Sequence, residues 1–252
     1  MNDFVDKDSI VRKIWGRGDI VLLIFAGASA EFALNKAVDW LYFTGKLPAD
    51  PLGRLFSTVT YAQKIVFSSR DRAVDSIDNI VSIHRGVEQR RGASIPPEAY
   101  LDVLFLLIDY SIRSFELLQR RLTGEEKAEI FAVFSRLGTR MGLAGLPADH
   151  AEWERLREQH LRENLVMSPF SEDLYEKYRK NLGPFRYWLL LQGQALLLPP
   201  SARRLLPLPA VVFIRPVIRA YKLVRLLRLD GRVRAALMPK RFRASVASLD
   251  ID

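Results

Sequence analysis

The chain of 252 residues contains no cysteine and only three histidines. Without cysteine it can form no disulfide, no thiolate zinc site and no thiolate-ligated or covalently attached haem. With three histidines, a metal site made of several imidazoles is disfavoured. The sequence also lacks a P-loop, a dinucleotide-binding glycine motif, a Gly-x-Ser-x-Gly elbow and a Glu-x-x-His pair. These absences argue against P-loop and Rossmann enzymes, elbow-type serine hydrolases and di-iron carboxylate bundles.

Long hydrophobic runs are missing as well. The first eight residues are polar and acidic, so no classical signal peptide is predicted. The apolar run 20–34 ends at Asn35 and Lys36, and the run 187–198 contains Gln192 and Gln194. Both runs are too short for membrane spans and are interpreted as buried core helices. The expected location is cytoplasmic, with peripheral attachment to a membrane as an alternative.

The apolar periodicity is helical nearly throughout, and no Asn-Gly or Asp-Gly hairpin joins alternating strands. Hydrophobic residues make up 49% of the chain, which suffices for a sizeable core. The sequence therefore predicts an all-α fold: a single-domain bundle of about eight or more helices over residues 1–252, around a buried cofactor or ligand cavity. Six of the predicted helices have both ends assigned: 19–42, 51–68, 97–118, 172–180, 185–198 and 211–228. The helix that carries His84 lies between the second of these and residue 97, and it ends at 86–92. Two further helices lie between 118 and 172: one begins at the capping box 123–126 and ends at 142–145, and the next begins at 149.

His84 is the most informative polar residue. It shares a helix face with Ile77, Ile80, Val81 and Val87, at spacings of seven, four, three and three. The pattern predicts an imidazole that points into the apolar interior. On the preceding predicted helix, Arg54 and Thr58 lie four residues apart and share a face. A buried imidazole that faces an Arg/Thr pair is the smallest set of side chains that could bind a haem and interact with bound oxygen.

Each of these residues also has a plainer interpretation. A single histidine on an apolar stripe is often a core residue with one hydrogen-bond partner. Arg54 follows Asp50 by four residues, so the two could form an ordinary surface pair. Thr58 could hydrogen-bond back to a helix carbonyl. Of the remaining polar residues, Glu31 is a candidate buried acid, although a position on the helix surface is the favoured interpretation. His150 and His160 lie in a polar segment and are expected at the solvated surface.

The net charge of +9 is unevenly distributed along the chain. Between residues 202 and 243 only Asp230 opposes the basic residues, which are Arg203, Arg204, Arg215, Arg219, Lys222, Arg225, Arg228, Arg232, Arg234, Lys240, Arg241 and Arg243. Such a segment attracts anionic partners. Its interleaved leucines and valines favour a basic C-terminal helix at about 208–243 that packs on the domain or lies on an anionic membrane surface. Nucleic acid is not an expected partner.

The order of several motifs resembles the family of latex-clearing rubber oxygenases and fungal MpaB-type oxygenases. The main motif is Asp50-Pro51-Leu52-Gly53-Arg54-Leu55 with Thr58, followed some thirty residues later by His84 and Val87. Further family-like stretches are Pro97-Glu98-Ala99-Tyr100-Leu101, Asp109 with Ser111, Leu122-Thr123, Gly142-Leu143, Leu146-Pro147 and Met238-Pro239-Lys240-Arg241-Phe242-Arg243. The resemblance covers roughly residues 10 to 245.

The resemblance implies an all-helical fold around one haem b. His84 would be the proximal ligand of the iron, and Arg54 and Thr58 would bind the cofactor and act in catalysis on the side where oxygen binds. Three departures stand out. Ala26-Gly27-Ala28-Ser29 replaces a His-Pro pair, Asp102-Val103-Leu104 replaces a Trp-Val-His stretch, and Ser57 replaces the distal lysine of rubber oxygenases. The last departure argues against rubber cleavage.

Two functions follow from these patterns. The first is a haem b-dependent oxygenase or related oxidoreductase that uses molecular oxygen on an apolar small-molecule substrate. The second is a haem-free helical protein that binds a lipid or a membrane surface through its basic C-terminal helix. A Soret band in the purified protein would distinguish the first from the second.

Overall fold

The computed structural model describes residues 3–43, 45, 49–208, 216, 218, 220–221, 224–225, 230–237 and 239–251. More than half of the chain is helical. Among the described residues no β-strand occurs, and extended pairing is limited to two isolated bridges, Asp3 with Ser69 and Asn35 with Leu165. The predicted all-α, single-domain bundle is confirmed.

The helices of the described part follow one another in a simple order. They are α1 (Ile10–Trp15), α2 (Gly18–Leu34), α3 (Asp39–Phe43), α4 (Pro51–Phe67), α5 (Arg70–Arg91), α6 (Pro97–Leu118), α7 (Gly124–Met141), α8 (His150–Glu163), α9 (Pro169–Leu197), α10 (Pro200–Leu205), α11 (Asp230–Leu237) and α12 (Arg243–Ala247), with a short 3₁₀ turn at Lys240–Phe242 before α12.

Helix α2 is the centre of the bundle and packs against both α6 and α9. It is apolar on all sides, as expected of a helix surrounded by others. Gly27 allows the close approach of α6, because a Cβ atom at this position would lie 2.3 Å from Cδ1 of Tyr110. The predicted core helix at 20–34 is thus a core helix, and its small residues serve helix packing.

The sequence signals at the helix ends are also those used in the structure. Asp50 caps α4 by accepting a hydrogen bond from the Gly53 amide, with Pro51 in the first turn. Thr123 and Glu126 form the predicted capping box of α7. Gly92 ends α5 with a φ of 68°, a conformation that favours glycine. The caps at Asp50 and Gly92 fix one end each of α4 and α5, the two helices that carry the candidate site.

Two predicted helix boundaries were wrong. The first long helix ends at Leu34, because Asn35 leaves the helical conformation, accepts a hydrogen bond from the Ala37 amide and donates one to Asp102. The predicted helices 172–180 and 185–198 form the single helix α9, which is kinked at Gly183, with a φ of 73°, and continues from Pro184. The predicted helix 211–228 falls mostly outside the described residues.

Candidate active site

Helix α5, which carries His84, lies on the outside of the bundle. Only Ala73 and Ile77 of this helix are buried, and both belong to its first half. His84 is in the second half and is half-buried beside a surface groove, whereas the sequence predicted a position in the apolar interior. The difference arises because α5 extends past the core, so that its apolar stripe is only partly covered.

The environment of His84 keeps its imidazole neutral. Its Nδ1 atom is buried and has no hydrogen-bond partner among the described residues. Burial and then the positive charge of Arg54 lower the pKa of His84, and these two causes outweigh the opposing effect of Glu88. The ring contacts Tyr100 edge-on, with the ring centroids 5.2 Å apart and the planes at 67°. At neutral pH the imidazole therefore has a nitrogen lone pair available for a metal ion.

Arg54 lies on α4, which packs against α5, and its charge acts on His84. Within the described part of the chain its half-buried guanidinium makes no ion pair and donates no hydrogen bond. The surface pair with Asp50 is not formed, because Asp50 caps α4 and lies 3.4 Å from Arg241 instead. Of the three predicted site residues, Arg54 and His84 are thus close enough for the charge of one to act on the other. The guanidinium of Arg54 remains available for an anion.

Thr58 follows Arg54 by one helical turn. Its hydroxyl donates a hydrogen bond to the carbonyl oxygen of Arg54 at 3.1 Å, and the Ser57 hydroxyl donates to the same oxygen at 2.7 Å. This is the plainer interpretation made from the sequence. The oxygen of Thr58 can still accept a hydrogen bond, but the hydroxyl must rotate before it can donate one elsewhere.

The groove beside His84 runs between the second half of α5 and the segment that follows α7. It consists of two adjoining cavities of about 380 and 240 Å³, both open to solvent, which share Val81, Arg85, Met141 and Gly142. The smaller cavity contains the site residues His84, Glu88 and Tyr100, with apolar walls from Ile95, Pro97, Leu143 and Ala144. Pockets for small ligands usually occupy about 300–1,000 Å³; the larger cavity lies within this range, and the smaller one, which contains His84, lies below it.

Inside this groove Glu88 and Tyr100 are joined. The carboxylate oxygen Oε1 of Glu88 accepts a hydrogen bond from the Ile95 amide at 2.8 Å and lies 3.5 Å from the Tyr100 hydroxyl. Burial, followed by the charge of Glu88, raises the pKa of Tyr100 to about 12. The phenol therefore stays protonated at neutral pH. The sequence singled out neither residue as functional, although Tyr100 belongs to one of its family-like stretches.

Several other polar residues hold the bundle together. Glu31 is buried and pairs with Arg157, so the candidate buried acid is confirmed and the favoured surface interpretation was wrong. Asp109 pairs with the same arginine, and the Ser111 hydroxyl accepts a hydrogen bond from the indole of Trp15 at 3.2 Å. The sequence did not single out Arg157. The spacing of Trp153, Arg157 and Leu161, which places all three on one face of α8, could have revealed that it points inward.

The expectation that His150 and His160 are solvated was wrong. Nδ1 of His160 lies 2.6 Å from Oδ1 of Asp102. The other carboxylate oxygen of Asp102 accepts hydrogen bonds from Asn35 and Asn164. His150 packs against Trp153, with the ring centroids 5.1 Å apart. Helix α8 turns one face toward the bundle, and both histidines lie near that face despite their polar sequence neighbours.

Several of the described basic residues near the C-terminus contact the domain, whereas Arg204, Arg232, Lys240 and Arg243 are exposed. Arg225 pairs with Asp19 at 3.2 Å, Arg234 pairs with Asp250, and Arg241 donates a hydrogen bond to Asn181 at 2.5 Å. Arg215, Arg219, Lys222 and Arg228 lie outside the described residues. None of the described helices is both long enough and apolar enough to cross a bilayer. The described part also contains no cluster of three or more histidine, aspartate or glutamate side chains suited to a metal ion, although a haem iron requires only one protein ligand.

Fold and site together define an all-helical protein in which a neutral imidazole on one helix feels the charge of a guanidinium on the neighbouring helix, and that guanidinium has no acidic partner in the described residues. The model of the family described as "ER-bound oxygenase mpaB/B'/Rubber oxygenase, catalytic domain" matches residues 12–229, and the chain belongs to this family. The resemblance inferred from the motifs is thus confirmed, and the family indicates an oxygenase. No curated protein and no solved structure gives a significant match.

Proposed function

We propose that this protein is a haem b-dependent oxygenase that acts on an apolar organic substrate, with His84 as the axial ligand of the iron. The observation that carries the proposal is the state of His84, whose buried Nδ1 has no hydrogen-bond partner among the described residues and whose pKa is lowered. Iron binds a neutral imidazole through a free nitrogen lone pair. The residues present therefore fit a haem.

A bound haem would supply the iron chemistry with molecular oxygen that side chains alone cannot perform. The protein contributes binding and electrostatics. Arg54 is placed to bind an anion near the imidazole, because its guanidinium carries a permanent charge and has no acidic partner in the described residues. That anion would be a carboxylate such as a haem propionate, and the fixed charge of Arg54 would favour negative charge that the reaction with oxygen develops. Thr58 adds a hydroxyl one turn further along α4.

The substrate class is inferred from the smaller cavity, because the larger one is also lined by the charged side chains of Asp78 and Arg140. Val81, Ile95, Leu143 and Ala144 present aliphatic surface next to His84 and Tyr100. The charge of Glu88 is engaged by the Ile95 amide. An apolar molecule in this groove would displace water from the side chains around the imidazole, which strengthens the electrostatic interactions within the groove.

An absorption spectrum of the purified full-length protein, with and without added haem, tests the proposal. We expect a Soret band in the wild type and loss of tight haem binding in His84→Ala. A wild-type protein that shows no Soret band after titration with haem would overturn the cofactor assignment. An unchanged Soret position and haem affinity in His84→Ala would overturn the ligand assignment.

The control variants are chosen to avoid indirect effects. His150→Gln and His160→Asn remove the other two imidazoles and keep polar side chains where the histidines pack or form hydrogen bonds. Both variants should retain the wild-type Soret position and haem content. Loss of haem in either one, with a melting temperature equal to that of the wild type, would move the ligand away from His84.

The second function considered from the sequence, a haem-free protein that binds a membrane surface, predicts a colourless protein. Arg225, Arg234 and Arg241, three of the basic residues on which it rests, have partners within the domain. The same spectrum therefore distinguishes the two functions.

A further inference from the structure

The orientation of the His84 ring has an unusual basis. Histidines that bind a metal normally have their second ring nitrogen held by a carboxylate, a backbone carbonyl or a water. Among the described residues, no hydrogen bond of this kind orients the His84 ring. The aromatic contact that His84 makes within the described part of the chain is the edge-on contact with Tyr100, at a centroid separation of 5.2 Å. Edge-to-face contacts are directional, because the positive edge of one ring meets the negative face of the other.

Tyr100 is itself held in place. It lies in the first turn of α6, and its hydroxyl is 3.5 Å from Oε1 of Glu88. Glu88 follows His84 by one turn on α5, so both side chains share a face of that helix. Glu88 does not hydrogen-bond to His84, since Oε1 accepts the Ile95 amide at 2.8 Å from the turn between α5 and α6. The carboxylate therefore acts on Tyr100 and the turn.

We propose that Tyr100 is a positioning residue that holds the imidazole of His84 in a single orientation, and that Glu88 holds Tyr100 in turn. The importance of this ring orientation for cofactor binding rests on the proposed role of His84 as iron ligand. The contact itself belongs to the haem-free protein, where it can be tested separately. His84, Glu88 and Tyr100 lie within one hairpin of α5 and α6, so the arrangement is local.

The haem-free test is NMR of the protein labelled with ¹⁵N-histidine. Only three imidazoles contribute, and spectra of His84→Gln, His150→Gln and His160→Asn assign them. In the wild type we expect one set of His84 ring signals, shifted by the ring current of Tyr100. Tyr100→Leu should remove that shift and broaden or average the signals, whereas Tyr100→Phe, which keeps the ring, should restore the wild-type pattern. Glu88→Ala should produce a smaller change of the same kind.

Tyr61→Leu is the matched control. Tyr61 is a half-buried tyrosine on α4 whose hydroxyl accepts a hydrogen bond from Asn79 on α5, and it does not line the groove. Its loss should leave the His84 signals in place. His84 signals that are unchanged in Tyr100→Leu, or changed equally in Tyr61→Leu, would overturn the positioning role.

Haem titration then measures the consequence of ring orientation. Tyr100→Leu should weaken haem binding by roughly tenfold to hundredfold, the usual effect of losing an outer-shell partner of a metal-ligating histidine. Tyr100→Phe and Tyr61→Leu should bind like the wild type. Haem binding that depends on His84 but is unaffected in Tyr100→Leu would overturn this inference alone. Absent haem binding in the wild type, or binding independent of His84, would instead overturn the proposed function.

Discussion

Arg157 donates hydrogen bonds from both terminal nitrogens to the two carboxylate oxygens of Glu31, at 2.5 and 2.6 Å, in the middle of the bundle. The same guanidinium reaches Asp109 at 3.0 Å. The Tyr110 hydroxyl donates to Glu31 at 2.8 Å, and burial together with the Glu31 charge raises the pKa of Tyr110 well above its ordinary value. One buried ionic network thus joins α2, α6 and α8.

Replacement of Arg157 should strongly destabilise the protein. Arg157→Met keeps much of the side-chain length but leaves the buried carboxylate of Glu31 without a cation and Asp109 with Arg113 as its remaining partner. Removal of one partner of a buried ion pair costs roughly 3–5 kcal/mol in the free energy of unfolding. Urea unfolding followed by circular dichroism measures the loss.

The matched control for this prediction is on the same helix. Arg162→Met removes an arginine whose partner, Glu158, is exposed to solvent, so the free energy of unfolding should change by no more than about 0.5 kcal/mol. Arg157→Met with the same stability as Arg162→Met would show that the network contributes nothing to the fold.

Features that depend on neighbours in sequence were predictable. The proline at the start of α4, the capping box of α7 and the glycine that ends α5 are recognised from a few consecutive residues, and the structure uses each of them. The break at Asn35 was missed because its cause is distant: the Asn35 side chain donates to Asp102, far along the chain. Likewise, Arg157 was not singled out because nothing local indicates that Glu31 and Asp109 surround it.

The candidate site was predictable in part for the same reason. The spacing of His84, Arg54 and Thr58 on predicted helices indicated which residues share a face, and the structure places Arg54 near His84. Periodicity does not show how far a helix extends past the core, so the half-exposure of His84 was not foreseen. Nor does it show side-chain contacts between successive helices, which is why Tyr100 was not recognised.

The lowered pKa of His84 predicts a particular pH dependence in the haem-free protein. Burial, followed by Arg54, makes the folded protein bind a proton at His84 less readily than the unfolded chain. As the pH falls below about 6.5, the unfolded chain takes up this proton first, so stability decreases until the pH reaches the folded pKa. His84→Gln removes this contribution. Between about pH 7.5 and 5.5 the wild type should therefore lose more stability than His84→Gln.

Two measurements check this dependence. Urea unfolding of both proteins across the pH range gives the difference in stability, and an NMR titration gives the pKa of His84 directly. Arg54→Ala should raise that pKa toward its ordinary value, because the nearby positive charge is lost. A His84 that titrates at or above its ordinary pKa in the wild type would contradict both the burial and the proximity of Arg54.

Asp102 should be important for stability although it lies outside the groove. Its carboxylate accepts hydrogen bonds from Asn35 and Asn164 and contacts His160 at 2.6 Å. Asp102→Ala leaves these partly buried groups without their acceptor, which should cost roughly 2 kcal/mol or more. Hydrogen exchange should show faster loss of the Lys36 and Val166 amides, whose bonds join the two segments beside Asp102. Unchanged exchange at both amides would contradict this role.

Arg54 and Thr58 give the sharpest separation between stability and function. Because Arg54 has no ion pair or hydrogen bond in the described residues, Arg54→Ala should change the stability of the haem-free protein by no more than about 0.5 kcal/mol. The same variant should lower haem affinity, since the anion proposed to bind Arg54 loses this guanidinium, and Arg54→Lys should restore part of the affinity. Thr58→Val nearly preserves volume and removes only a hydroxyl that already donates to the Arg54 carbonyl. It should therefore leave stability and haem content intact and slow the reaction with oxygen, measured by stopped-flow absorption after haem reduction.

If Arg54→Ala unfolds the haem-free protein, Arg54 is structural. If both variants match the wild type in haem content and oxygen reactivity, the two residues have no part in the oxygen chemistry.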